Sequence, residues 1–214
     1  SCAIRNVLRT RRLANLLINE KGELLTSSIP HVIALLNKHL YFTGPNRQYD
    51  SRRQLHILKV LKFLHERKDL AILLKQVSKP HSHKFAEQII RDTLALPENT
   101  IITDAHARRA VLSAWMCYLR QSVGSCFGTA PAILIHAEQP EQFLKDIIEL
   151  LGTGRLKRTF GGVEYSVPLS TSWGIGDLGK QFILSKDPDV EQLDIALSPG
   201  ILAAFETVGI ISDN

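Results

Sequence analysis

The sequence of 214 residues is poor in cysteine, methionine and long apolar runs, and each shortage excludes a class of protein. Three irregularly spaced cysteines, Cys2, Cys117 and Cys126, cannot form the disulfide framework of a small secreted domain. They favour a reducing, cytoplasmic compartment or a free reactive thiol. No apolar run approaches the roughly 20 residues of a membrane span, and no basic-then-apolar leader opens the sequence. The sequence begins with Ser1 and its single methionine is Met116, so we expect a piece of a longer chain, whose parent could be a delivered effector with its own signal.

The chain has a moderate content of charged residues, with a slight excess of basic ones. Hydrophobic residues make up 44% of the chain and charged residues 22%, with a net charge of +5. This apolar content is enough to bury a core, which excludes a wholly disordered chain. Basic residues cluster near the start and around positions 47–53, where Tyr49 is the one interleaved aromatic residue. That layout is more typical of a solvated helix face than of a nucleic-acid interface, so nucleic-acid binding is the weakest of three functional hypotheses.

Apolar residues in the first hundred positions recur with helical spacing. The pattern predicts five helices: through residues 3–17, from Ser28 to the Gly44-Pro45 pair, from about Ser51, from Asp69, and after Pro80. The side chains expected to face the core include Leu16 and Leu17, then Leu55, Leu58, Leu61 and Leu64, while the helix from Asp69 runs through Leu70, Ile72, Leu73 and Leu74. We therefore expect residues 1–98 to form a helical region, either an interaction domain or a pro-region.

The pattern changes after Pro97, and we expect a second domain over residues 99–214. Asp104 is a good N-cap for one helix, and Pro140 opens another that Gly152 should close. Gly161-Gly162 separates two strand-like runs and predicts a tight hairpin. The predicted fold class is α+β and mostly helical, with a helical N-terminal region followed by a helix-plus-hairpin module.

The loop from Gln121 to Thr129 is the stretch whose residues indicate chemistry. A nucleophilic cysteine needs a populated thiolate, which the positive end of a helix favours. Cys126 stands where this loop leads into a predicted helix, after the small pair Gly124-Ser125. Gln121 lies just upstream, where its amide can donate to an oxyanion beside the Cys126 backbone N–H.

This loop resembles, in residue type and order, the motif of papain-like cysteine peptidases, through Gln121, Gly124, Ser125, Cys126 and Phe127. The resemblance implies a thiol-dependent hydrolase that cleaves peptide or isopeptide bonds in a protein or peptide substrate. It makes Cys126 the nucleophile and Gln121 the oxyanion-hole residue. No cofactor and no metal follow from it, and the second domain would be a papain-like module.

The histidine that should serve as general base is missing from its expected place. Only 88 residues follow Cys126, and His136 is the one histidine among them. Ten residues of helix would place His136 about 15 Å from the thiol, which is out of reach. Either the base lies beyond Asn214, so that this piece lacks its catalytic histidine, or an upstream histidine folds back, with His106 and the His81–His83 pair as candidates.

A second hypothesis from another class is a catalytically silent, helical protein-interaction domain of a larger intracellular protein. Under it, Cys126 is a small residue packed in a tight turn. His81 and His83 alone are a weak metal motif. The remaining N-terminal histidines (His31, His39, His56 and His65) are expected at surface or boundary positions.

Overall fold

The fold is seen in a computed structural model that describes residues 10–38, 47–81, 83–116, 134 and 137–168. The helices are α1 (Thr10–Leu17), α2 (Ile29–Lys38), α3 (Arg47–Glu66), α4 (Lys68–Lys75), α5 (Lys84–Leu94), α6 (Asp104–Met116) and α7 (Pro140–Thr153). A 3₁₀ turn (Thr26–Ser28) precedes α2, and strands β1 (Arg155–Phe160) and β2 (Val163–Pro168) follow α7. This part of the chain is mostly helical with one hairpin, as predicted. No helix within these ranges is long and apolar enough to cross a membrane.

Contacts between Cα atoms divide the chain into two compact units. Residues 1–79 and 103–118 form the first unit, and residues 80–102 and 119–214 form the second. The first therefore holds α1 to α4 with α6, and the second holds α5, α7 and the hairpin. The sequence-based domains, 1–98 and 99–214, remain a prediction about independent folding, which this grouping does not test.

Helix α6 is the central element of the first unit. Its buried side chains are Ala105, Ala107, Ala110, Val111, Leu112, Ser113, Ala114, Trp115 and Met116. From Ala110 onward every side chain is buried, and α1, α3 and α4 all pack against this helix. Several of the buried residues are alanines, which let neighbouring backbones approach closely. The buried hydroxyls of Thr10 and Ser113 share a hydrogen bond of 2.9 Å, which satisfies both polar groups where α1 crosses α6.

Two leucine residues expected on apolar helix faces are exposed instead: Leu16 is 51% exposed and Leu55 is 60% exposed. Ile72 on α4 is 54% exposed as well. Positions spaced strictly by three residues drift around a helix of 3.6 residues per turn, so Leu55 and Leu64 point to opposite sides of α3. The buried stripe of α3 consists of Gln54, Ile57, Leu58, Val60, Leu61 and Leu64.

The second unit joins α7 directly to the hairpin. Helix α7 begins at Pro140, as predicted, but it ends at the left-handed Gly154 (φ 70°) rather than at Gly152. The hairpin turns at Gly161 (φ 53°) and Gly162 (φ 80°), with Phe160 opposite Val163, which confirms the predicted turn. The Lys157 N–H donates to Glu149 Oε1 at 3.0 Å and ties the outer edge of β1 to α7.

Candidate functional site

The predicted catalytic residues Cys126 and Gln121 lie outside the described residues, as do Gly124, Ser125, Phe127 and His136. The elements on either side of this stretch are described. Helix α6 ends at Met116, five residues before Gln121, and α7 begins at Pro140. The described residues that bear on function are therefore the histidines proposed as the base and the exposed side chains of the helices.

His106 is a capping residue of α6. Its backbone N–H donates to Thr103 Oγ1 at 3.2 Å, and the Thr103 N–H donates to His106 Nδ1 at 3.1 Å. This reciprocal pair is a capping box, with histidine in the place that glutamate or glutamine usually takes. Thr103 is thus the N-cap that was predicted at Asp104. The Asp104 carboxylate instead accepts the Lys79 N–H at 2.9 Å.

His83 caps α5, the helix that precedes α6 in the sequence. Its Nδ1 accepts the Ala86 N–H at 3.1 Å at the start of α5. Its ring lies against Gly154, where a Cβ atom would overlap the imidazole. His81 is exposed. Because Nδ1 of His83 and Nδ1 of His106 each accept a backbone N–H, the neutral rings carry their proton on Nε2. Neither Nδ1 can take a thiol proton without uncapping its helix.

His56 is a partly buried histidine whose environment changes its pKa. Its Nε2 lies 3.2 Å from the carbonyl oxygen of Trp115, near the end of α6, and a carbonyl can only accept, so Nε2 donates. Burial lowers the pKa of His56 from 6.5 to about 4; the hydrogen bond to Trp115 opposes this shift, and the charge of Lys59 adds to it. The ring is therefore neutral at pH 7.

The boundary position of His56 was predictable from its place beside the buried stripe of α3. Its bond to Trp115 was not, because the two residues are 59 positions apart.

The exposed side of α3 is a second candidate site, for binding rather than catalysis. Five exposed residues of α3 follow one another at alternating intervals of three and four positions: Arg52, Leu55, Lys59, Lys62 and Glu66. They therefore lie along one line of the helix. We name this line the α3 stripe. It carries three cations, one carboxylate and a single apolar side chain.

No described set of three or more His, Cys, Asp or Glu side chains is arranged to hold a metal ion. His81 and His83 thus have no third ligand within the described ranges.

Comparison with known proteins finds no relative of this chain. No family model matches the sequence, no curated protein matches it, and no solved structure matches its fold. The candidate sites therefore depend on the residues of this chain alone.

Proposed function

We propose that this chain carries the nucleophile of a thiol-dependent hydrolase of the papain-like class, acting on peptide or isopeptide bonds. The observation that carries the proposal is the order Gln121, Gly124, Ser125, Cys126, Phe127. Supporting it, this stretch follows α6, a helix buried on all sides over its last two turns, and precedes a helix that leads into a hairpin.

The proposed reaction begins when the Cys126 thiolate attacks the carbonyl carbon of the scissile bond. Negative charge develops on the carbonyl oxygen, where the Gln121 amide and the Cys126 backbone N–H donate hydrogen bonds. The C–N bond then breaks, the amine leaves with a proton from the general acid, and water hydrolyses the thioester. A histidine fills the acid–base role. Since Nδ1 of His83 and Nδ1 of His106 cap helices, we assign that role to neither.

The test is the alkylation rate of each cysteine by iodoacetamide as a function of pH, read by mass spectrometry. An ordinary thiol with a pKa of about 8.5 is only about 0.3% ionised at pH 6. We expect Cys126 to react rapidly at pH 6, while Cys2 reacts only as the pH approaches 8.5. Cys117 provides a second reference in the same molecule. If Cys126 follows Cys2 at every pH, or reacts no faster at pH 6 than Cys117, the proposal is wrong.

A second measurement separates the oxyanion donor from the nucleophile. Acylation of Cys126 by p-nitrophenyl acetate develops an oxyanion, whereas alkylation by iodoacetamide does not. We therefore expect Gln121→Ala to slow acylation by about 10²-fold and to leave alkylation nearly unchanged. Equal slowing of both reactions would show that Gln121 supports the loop and does not bind the oxyanion.

The second candidate function, a helical protein-interaction domain, is favoured by a different observation. Leu16, Leu55 and Ile72 are each more than half exposed on helices of the first unit. Apolar side chains scattered singly on a surface are common, so their number alone decides nothing. What distinguishes Leu55 is the charge around it.

A further inference from the structure

The α3 stripe surrounds one exposed leucine with positive charge. Arg52 lies three residues before Leu55, and Lys59 and Lys62 lie four and seven residues after it. At a rise of 1.5 Å per residue, the stripe is about 21 Å long, or about four helical turns. It is therefore about as long as a short helix laid alongside it.

Two properties make the stripe available to a partner. Leu55 is 60% exposed, so covering it would remove most of an apolar side chain from water. Within the described part of the chain, neither Arg52 nor Lys62 has a carboxylate within ion-pair distance of 4.0 Å, although Glu66 lies one turn beyond Lys62. Neither charge is therefore held in an ion pair with a described residue.

We propose that the α3 stripe docks an acidic amphipathic helix of a partner protein, with Leu55 as the apolar anchor. Asp and Glu side chains on such a helix, spaced at intervals of three or four residues, would face Arg52, Lys59 and Lys62 while an apolar side chain covers Leu55.

Nucleic acid fits the same surface less well. A phosphate backbone would pair with the cations but gain nothing from Leu55, and base stacking needs an exposed aromatic ring. Among the α3 side chains that the structure describes, the aromatic ring nearest the stripe is Phe63, and it is half-buried. Its ring packs edge-on against Trp115 (6.4 Å between centroids) and lies under the Arg67 guanidinium (5.3 Å).

Docking at the α3 stripe does not require Cys126 to be a nucleophile. It gives the second candidate function a defined surface, and it is also compatible with a hydrolase that recruits a protein substrate. Failure of the alkylation test and failure of the docking test are therefore separate results.

The test is selection from a displayed library of random peptides about 16 residues long, which matches the four turns of the stripe. The whole chain is the bait. We expect the enriched peptides to carry several acidic residues at helical spacing around one large apolar residue. Leu55→Ala and Lys62→Glu should each weaken binding of a selected peptide about tenfold, and added salt should weaken it further.

Matched controls are available on the neighbouring helix α4. Ile72 is an exposed apolar residue and Lys75 an exposed cation, so Ile72→Ala and Lys75→Glu repeat the same chemical changes away from the stripe. We expect each to change binding by less than about twofold. All four variants alter exposed side chains, and unchanged circular dichroism and melting temperature would show that they fold.

Three results would overturn the proposal. Selection that enriches no acidic peptide rejects the partner class. Binding that is insensitive to Leu55→Ala, or equally sensitive to the α4 controls, rejects the stripe as the site. Tighter binding of single-stranded RNA or duplex DNA, lost in Lys62→Glu but retained in Leu55→Ala, assigns the stripe to nucleic acid instead.

Discussion

At the scale of single residues, three described histidines form hydrogen bonds with the backbone through their rings. His83 and His106 accept an N–H through Nδ1, and His56 donates to a carbonyl through Nε2. In each case the backbone partner determines which ring nitrogen carries the proton. A search for a general base must therefore ask which nitrogen is already engaged, and sequence position does not answer that question.

His56 makes stability depend on pH. Its pKa is about 4 in the folded state, against an ordinary value of 6.5, so between these values the unfolded chain binds more protons. The contribution of neutral His56 to the free energy of unfolding is fully present above pH 6.5 and is lost as the pH falls towards 4. We expect a loss of about 3 kcal/mol over this window from His56. His56→Gln should flatten the pH dependence of urea unfolding between pH 4.5 and 7, because the amide does not titrate but can still donate to Trp115.

The control for this experiment is His31→Gln, since His31 is exposed on α2. It should leave the pH dependence unchanged. If His56→Gln keeps the slope of the parent chain, the acid sensitivity arises from another group.

At the scale of elements, the two ends of α7 differ in what determines them: local sequence determines the first residue, and tertiary packing determines the last. Pro140 opens α7 because its ring suits the first turn of a helix. Two glycines near the other end of α7, Gly152 and Gly154, are equally good stops by composition. Gly154 is the stop: it adopts the left-handed φ of 70°, and because it has no Cβ atom it also leaves room for the ring of His83, a residue far away in the sequence.

Substitution of the two glycines should shift stability in opposite directions. Gly154→Ala places a Cβ in a left-handed conformation and against His83, and we expect a loss of about 2 kcal/mol. Gly152 lies inside α7, where a Cβ atom would have no neighbour within 4 Å, so Gly152→Ala should stabilise the chain by about 0.5–1 kcal/mol. Chemical denaturation of the two variants measures both effects, and a shift of the same sign in both would contradict the assignment of Gly154 as the cap.

At the scale of the whole molecule, the first unit is assembled from segments that are distant in sequence. Arg108 Nε donates to the Val77 carbonyl at 2.9 Å, and its Nη1 donates to the Gly22 carbonyl, also at 2.9 Å. Arg109 Nε donates to the Ile18 carbonyl at 3.0 Å. Two neighbouring arginines of α6 thereby hold the turn after α1 and the chain after α4.

Arg108 should contribute strongly to the stability of this unit. Its fork of donors reaches two carbonyls at once, which the single ammonium of lysine cannot reproduce. We expect Arg108→Ala to lower the free energy of unfolding by about 2–3 kcal/mol and Arg108→Lys to lower it by about half as much. Arg12→Ala, which removes an exposed arginine of α1, is the control and should change it by less than about 0.5 kcal/mol. Equal effects at both positions would mean that Arg108 acts only through its charge.

The sequence predicted the local elements of this chain well. The start of α2 near Ser28, the helix after Pro80, the start of α7 at Pro140 and the glycine hairpin are all where periodicity and turn chemistry placed them. The prediction of which side chains lie in the core was less accurate. Several leucines of one helix fit a hydrophobic pattern, but only those on the side that packs against other helices are buried. The catalytic assignment of Cys126 and Gln121 remains a prediction from their spacing.

By itself, the sequence determined where helices begin, where the hairpin turns and that the described part of the chain is mostly helical, since these depend on neighbours within a few residues. Tertiary structure decided that Leu55 is exposed, that His56 is neutral against Trp115 and that His83 and His106 cap helices. Burial and hydrogen-bond partners come from residues brought together by folding, and in the case of His56 and Trp115 these are separated by 59 positions.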